Sequence, residues 1–114
     1  MSVSYFVRYD VTAPDLPHFL DYYRRHHVPI LTRWPGIRSV VLHTATEWSD
    51  PSPVNRGAAV LLAQLEFDSA ADLQAALASR ERMDARRDFA SFPPFDGTVT
   101  HQAMVSETAW RREA

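Results

Sequence analysis

His27 is the side chain best placed for acid–base chemistry. Between Leu16 and Trp34 the apolar residues recur at helical spacing, and His27 falls on the same inward stripe. An imidazole with its ordinary pKa of about 6.5 can accept or donate a proton at neutral pH, which suits isomerisation or cyclisation of a carbonyl compound. The alternative is a core histidine that is hydrogen-bonded to backbone or to Tyr23 and serves packing alone.

A proline lies two residues after this histidine, inside the predicted helix. Pro29 has no N–H to donate to the carbonyl of Arg25, so the helix is expected to kink or loosen there. The freed carbonyl could orient a histidine ring or a ligand hydroxyl. The adjacent His26 points about a third of a turn away and is expected in solvent or at an interface.

Aromatic and strand side chains could complete a pocket around His27. Tyrosine hydroxyls in the space between sheet and helices need polar partners, and the indole that ends the helix could cover a bound ring. Either strand histidine could face the pocket or the opposite side of the sheet, and the alternation alone does not decide which. The candidate substrate-binding residues are Tyr5, Tyr23, Trp34, His43 and His101; core packing is the alternative for each of them.

Several kinds of chemistry are disfavoured by composition. All 12 basic residues are Arg, so no lysine can form a Schiff base, and the absence of Cys removes thiolate nucleophiles. No His-x₃-His or His-Glu-x-x-His spacing is present, and the three glycines form no phosphate loop, so we expect neither a metal nor a nucleotide site.

Charge and hydropathy also restrict the partners. A formal net charge of -2 offers no electrostatic reason to bind nucleic acid. No apolar run approaches the ~20 residues that span a bilayer, and the N-terminal residues resemble no signal peptide. We therefore expect a cytoplasmic protein with no membrane contact.

The elements that must position these residues alternate in type. Residues 2–11 alternate as a strand, and Asp15 is placed to cap the helix of residues 16–34. Strands are predicted over 37–48, 58–67 and 95–110. A helix is predicted over 69–79, with Ser69 opening a capping box, and continues as a charged helix over 80–92. Its Arg80–Arg82 and Arg86–Asp88 runs are interpreted as solvated faces, although Asp88 could instead brace the dimer or the helix junction.

This order predicts one domain over residues 1–114 with a ferredoxin-like βαββαβ fold of the α+β class. Two helices would cover one face of a four-stranded antiparallel sheet. The other face carries Phe6 and half of the third strand's apolar residues, and needs a cover. A second copy is the simplest one, so we expect a homodimer through the open sheet face.

Two short motifs carry a family resemblance. Residues 22–30, with His-x-Pro at His27–Pro29, followed by Trp34-Pro35-Gly36, are similar to the first-helix pattern of EthD-like proteins. Arg87-Asp88-Phe89 resembles that family's second helix. The chain is thus identified as an EthD-like member of the dimeric α/β-barrel superfamily. The resemblance implies a pocket between helices and sheet, with His27 at a position proposed as an acid/base or ligand contact in some relatives.

Those relatives include muconolactone-type isomerases, polyketide cyclases and cofactor-free monooxygenases, and some barrel relatives bind haem or flavin. We expect a cofactor-free enzyme, an isomerase or cyclase, that transfers protons on a small hydrophobic cyclic or aromatic molecule. His27 would be the catalytic acid/base, assisted by Tyr23 and by His43 or His101. The alternative is a non-catalytic dimeric protein of the same fold that binds a small ligand.

Overall fold

The computed structural model describes residues 1–113, which form four strands and four helices. The strands are β1 (Ser2–Thr12), β2 (Ser39–Thr44), β3 (Leu61–Phe67) and β4 (Asp96–Ser106). The helices are α1 (Leu16–Tyr22), α2 (Val28–Leu31), α3 (Ala70–Leu77) and α4 (Arg80–Asp88). A π-helical segment (Tyr23–His27) joins α1 to α2, and a 3₁₀ turn (Phe89–Ser91) follows α4.

The strands form one antiparallel sheet in the order β2-β3-β1-β4. Strand β1 pairs with β4 along its whole length and with β3 over residues 3–9, so that Tyr5 lies opposite Leu65 of β3 and Ala103 of β4. Strand, helix, strand, strand, helix, strand in this order is the ferredoxin-like arrangement of the α+β class, which confirms the predicted fold.

The first helical region departs from the expected single helix. Asp15 caps α1 by accepting a hydrogen bond from the His18 backbone N–H, as predicted. Because Pro29 has no N–H, the α-helical ladder is broken near it, and the N–H of Val28 instead donates to the carbonyl of Tyr23, five residues earlier. The resulting π turn leaves both Tyr23 and His27 buried on the sheet side.

The three strands after β1 are shorter than predicted, and the charged helix is a separate element. Strand β2 ends at Thr44 because β3 supplies pairing partners only for residues 39–44. Strand β4 ends at Ser106, which pairs with Ser2 at the start of β1. The charged helix is not a continuation of α3. Ser79 separates the two helices and caps α4, because its side-chain oxygen accepts a hydrogen bond from the Arg82 backbone N–H.

The core lies between the helices and one face of the sheet. Strand β3 alternates strictly between buried and half-buried residues, and its inward side chains are Leu61, Ala63, Leu65 and Phe67. None of the described helices covers the opposite face, where Val41 and Met104 are 42% and 49% exposed. Along residues 1–113 no helix is long and apolar enough to cross a membrane.

Candidate functional site

A cavity lies between the sheet and the helical layer. Its lining mixes aromatic rings with two histidines and two arginines. The residues are Tyr5, Val7, Tyr9, Tyr23, His27, Leu31, Trp34, Leu65, Arg82, Ala85, Arg86, Phe89 and His101. The space within it is about 40 Å³, which holds a water molecule or two but no aromatic ring. A ring-sized ligand therefore requires some of these side chains to move.

His27 is held by the carboxylate of Asp88, the last residue of α4. Its Nδ1 lies 2.9 Å from Oδ2 of Asp88, and the Tyr22 hydroxyl donates to Oδ1 of the same carboxylate at 2.7 Å. An ionised carboxylate only accepts hydrogen bonds, so Nδ1 of His27 carries the proton. No protein group within residues 1–113 bonds Nε2, which leaves that nitrogen for a ligand.

Burial sets the charge of this histidine. His27 is 6% exposed, and desolvation lowers its pKa although the hydrogen bond and the charge of Asp88 act in the opposite direction. The imidazole is therefore neutral at neutral pH, with Nδ1 as donor and Nε2 as a free lone pair. This arrangement can accept a proton at Nε2 while Asp88 stabilises the imidazolium that forms.

A second polar chain lies at the other end of the cavity. The Tyr5 hydroxyl lies 2.7 Å from Nδ1 of His101, and a guanidinium nitrogen of Arg82 donates to the same hydroxyl at 3.5 Å. Because Arg82 can only donate, the Tyr5 hydroxyl accepts its hydrogen bond, and the same hydroxyl shares a second hydrogen bond with Nδ1 of His101. When the hydroxyl donates in that second bond, Nε2 of the neutral His101 ring carries a hydrogen that can be donated to a ligand.

The arginines also act on His101. Partial desolvation, followed by the charges of Arg86 and then Arg82, lowers the pKa of His101. The neutral form of this histidine is thus favoured, and the electrostatic potential around it is positive.

Trp34 contributes an unsatisfied donor. Its side chain is 4% exposed, and its buried Nε1 has no hydrogen-bond partner among the described residues. Its ring centroid lies 6.3 Å from that of Tyr5, so the indole belongs to the same end of the cavity as the second polar chain. A buried N–H without a partner costs stability, which makes it a notable feature of a site.

Comparisons with known proteins now decide the family. The profile described as "EthD domain" matches residues 14–96, which is most of the chain. The chain belongs to the EthD domain family. The resemblance of the motifs around His27 and Asp88 predicted this family, and the match confirms it. A comparison with curated proteins gives no significant match.

Solved structures of low sequence identity share the fold of this EthD domain. An EthD family protein from Bacillus halodurans is 20% identical, with 94% of this chain and 100% of that chain covered and a TM-score of 0.75. A monooxygenase from Streptomyces coelicolor, solved with nanaomycin D, is 17% identical over 98% and 93% of the two chains, with a TM-score of 0.68. A dimeric ferredoxin-like protein of unknown function from Thermobifida fusca is 8% identical over 93% and 92%, with a TM-score of 0.62.

The EthD domain brings most of the predicted site residues to one cavity. His27, Tyr5, Tyr23, Trp34 and His101 all line it. The predicted binding residue His43 does not, because the strand alternation places it on the open sheet face, where its Nε2 contacts Gln64 Oε1 at 3.1 Å. Of the two strand histidines, His101 is therefore the one on the cavity side.

Sequence reasoning missed four polar residues of this site. Asp88 and Tyr22 orient His27, and Arg82 and Arg86 line the cavity, although their runs were interpreted as solvated faces. A signal was present, since the cavity-lining positions of α4 and the turn after it, 82, 85, 86 and 89, share one helical stripe. His26 is exposed to solvent, and its ring centroid lies 4.8 Å from that of Tyr22, with the two rings tilted. Within the described part of the chain, no cluster of metal-ligating side chains is found.

Proposed function

We propose that this EthD domain is a small-molecule enzyme that transfers protons on a hydrophobic cyclic or aromatic compound, as an isomerase or cyclase. The observation that carries the proposal is the pair formed by the buried His27 and the half-buried Asp88. Asp88 holds the protonated Nδ1 at 2.9 Å, which leaves Nε2 of a neutral imidazole as a base beside an aromatic cavity.

The reaction follows from the two ends of the cavity. Nε2 of His27 removes a proton from the carbon next to a carbonyl, and the positive imidazolium is stabilised by the Asp88 carboxylate. In a ligand whose enolate is conjugated with a second carbon–carbon double bond, the proton is returned at the far carbon of that system and the carbonyl is restored, which completes an isomerisation. With the Tyr5 hydroxyl donating to Nδ1 of His101, the Nε2–H of His101 is the hydrogen-bond donor for the carbonyl oxygen. This step requires no cofactor, because side chains alone move the proton.

A ring-sized substrate must enlarge the cavity of about 40 Å³. Phe89 lines it and is 38% exposed, so this side chain can move aside at little cost in buried contacts. The rings of Tyr5, Tyr23 and Trp34 would then surround the ligand.

The proposal includes a homodimer through the open sheet face. Phe6, Leu62 and Met104 line an apolar depression on that face, away from the cavity. Covering it with a second copy would remove these side chains from water. The dimeric ferredoxin-like protein of similar fold supports this assembly.

The experiment uses β-tetralone, a bicyclic ketone with exchangeable hydrogens next to its carbonyl. We expect the wild-type protein to accelerate hydrogen–deuterium exchange of this ketone in D₂O, measured by NMR. His27→Gln keeps a donor for Asp88 but removes the base, and should lose the acceleration while still binding the ketone. His26→Gln, a change at the neighbouring solvent-facing histidine, should leave it intact.

Two results would overturn the proposal. If β-tetralone binds but exchange is equal in wild type and His27→Gln, the protein is the non-catalytic ligand-binding protein that the sequence left as the alternative. If neither binding nor exchange is found for the ketone, a cavity for hydrophobic carbonyl compounds is contradicted.

A further inference from the structure

The cavity has an excess of positive donors that the proposed base does not use. Arg82 and Arg86 both line it, and none of its lining residues is acidic. Arg87 on the same helix pairs with Asp84 at 2.8 Å, but within residues 1–113 neither Arg82 nor Arg86 forms a salt bridge. Two cations brought to one cavity without a counter-ion favour a negatively charged ligand group.

The hydrogen bonds of Arg82 leave most of its donors free. Its guanidinium makes two contacts, to the Leu77 carbonyl and to the Tyr5 hydroxyl, and both are long at 3.5 Å. A guanidinium has five N–H donors, and the best hydrogen bonds to it are shorter by several tenths of an ångström. Arg82 is therefore held near the cavity, yet it can form stronger bonds with an anionic oxygen.

A third donor at this end of the cavity is neutral and buried. Nε1 of Trp34 has no hydrogen-bond partner within residues 1–113, and Trp34 is linked to Arg82 through Tyr5, which contacts both side chains. The Nε2–H of His101, on the other side of Tyr5, is a fourth. N–H groups of residues that line one largely buried space are the chemistry of an oxyanion site, since each can donate to an anionic oxygen.

From these observations we infer that Arg82, Trp34 and Arg86 form an oxyanion subsite, and that the ligand is a hydrophobic ring bearing an acidic oxygen. The chemical step of this inference rests on the proposed function, whereas the binding of the anionic ligand does not. When His27 removes the proton, the C–H electron pair becomes the carbon–carbon double bond of an enolate. The carbonyl π pair moves onto oxygen, and the subsite holds that negative oxygen. The proton stays on Nε2 of His27 until it is returned to carbon.

A phenolate tests the subsite without any reaction. β-Naphthol has nearly the shape of the enol of β-tetralone, and its neutral and anionic forms differ in fluorescence. We expect the wild-type protein to bind β-naphthol with a lowered pKa of the bound hydroxyl, because the anion is the form that the arginines favour. Naphthalene, which has the ring alone, should bind more weakly.

Variants distinguish the effect of the arginine charge on binding from an effect on folding. Arg82→Gln should weaken binding of β-naphtholate about tenfold to a hundredfold and reduce the pKa shift, with naphthalene binding unchanged. Arg82→Lys keeps the charge and should recover part of the loss, and Trp34→Phe should weaken the anion severalfold. Arg87→Gln, on the solvent side of the same helix, is the matched control and should leave binding unchanged.

The outcomes also distinguish this inference from the proposed function. Equal β-naphtholate affinity in wild type and Arg82→Gln, an unshifted pKa of the bound naphthol, or no binding of naphthol at all would each overturn the oxyanion subsite. If β-naphtholate binds as expected but β-tetralone shows no exchange, the subsite stands and the enzymatic proposal alone fails.

Discussion

His27 and Asp88 are 61 residues apart in the chain, and their side chains meet at 2.9 Å beneath the helical layer. The contact ties the π-helical segment to the end of α4. Because the Tyr22 hydroxyl occupies the other oxygen of Asp88, both oxygens of the carboxylate are engaged and its orientation is restricted. The proposed base is thereby held in one tautomer, with Nε2 left for a ligand.

Replacing Asp88 by Asn should damage the proposed catalysis more than binding. The amide has nearly the same shape but no charge, so it stabilises the imidazolium less and can favour the other tautomer of His27. We expect exchange of β-tetralone to slow by about tenfold or more, with ketone affinity little changed. NMR of the His27 ring nitrogens should report the altered tautomer.

Asp84→Asn is the matched control for that variant, because Asp84 lies on the same helix and pairs with Arg87 outside the cavity. It should leave the exchange rate and the His27 ring unchanged. Equal exchange rates for Asp88→Asn and wild type would show that the carboxylate does not assist the base.

The pH dependence of exchange should follow His27. Burial lowers the pKa of this histidine below its ordinary value of about 6.5, and only the neutral ring can accept a proton. Exchange should therefore be fully active at neutral pH and decline as the pH falls through the lowered pKa. A decline centred above about pH 6.5 in the pH profile would contradict this assignment.

Stability should depend on pH in the same direction. Between the lowered folded pKa and about 6.5, the unfolded chain binds more protons at His27 and His101 than the folded protein does. The free energy of unfolding therefore rises with pH across this window, and the contribution is lost as the pH falls. Urea unfolding from about pH 5 to about pH 8 measures it. His27→Gln should flatten the dependence, and an unchanged slope would contradict the assignment.

The proposed dimer is tested at the open sheet face. Leu62 lines the apolar depression there, so Leu62→Glu would bury a charge in a twofold interface. Wild type should sediment as a dimer and this variant as a monomer. Val54→Glu, at a loop residue that is 49% exposed, should remain dimeric. A wild-type protein that sediments as a monomer would refute the assembly.

The pairing of β4 with β1 depends on one glycine. Gly97 has a φ of +136°, and a Cβ added there would lie 2.3 Å from the carbonyl oxygen of Asp10. Gly97→Ala should lower the free energy of unfolding by at least about 1–3 kcal/mol, because the backbone of one strand must shift. Its control is Gly57→Ala, where the nearest atom is the flexible end of Arg8 at 3.7 Å. Equal unfolding midpoints for the two variants would contradict this explanation.

Local patterns were sufficient for the fold and for part of the site. Alternation identified β1, the helical stripe placed His27 inward, and Pro29 marked the break that the structure realises as a π turn. Asp15 and Ser69 cap their helices as expected. These signals are readable because they depend on residues within one or two turns of each other, or on the two faces of one strand.

The choice between the two strand histidines required the sheet itself. His43 and His101 each occupy a strand, but the face of a side chain depends on register, and a shift by one residue reverses it. In the observed pairing His43 stands opposite Leu62 and His101 opposite Val7, which puts them on opposite faces.

By itself, then, the sequence determined the order of elements and the inward position of His27, because both depend on local spacing. It also indicated the EthD family, through the resemblance of its two short motifs. Only the tertiary structure decided which groups surround that histidine. It brought Asp88 and Tyr22 to the imidazole and turned Arg82 and Arg86 towards a cavity. The reason is physical: contacts between residues far apart in the chain depend on helix rotation and sheet register, which no short window of sequence contains.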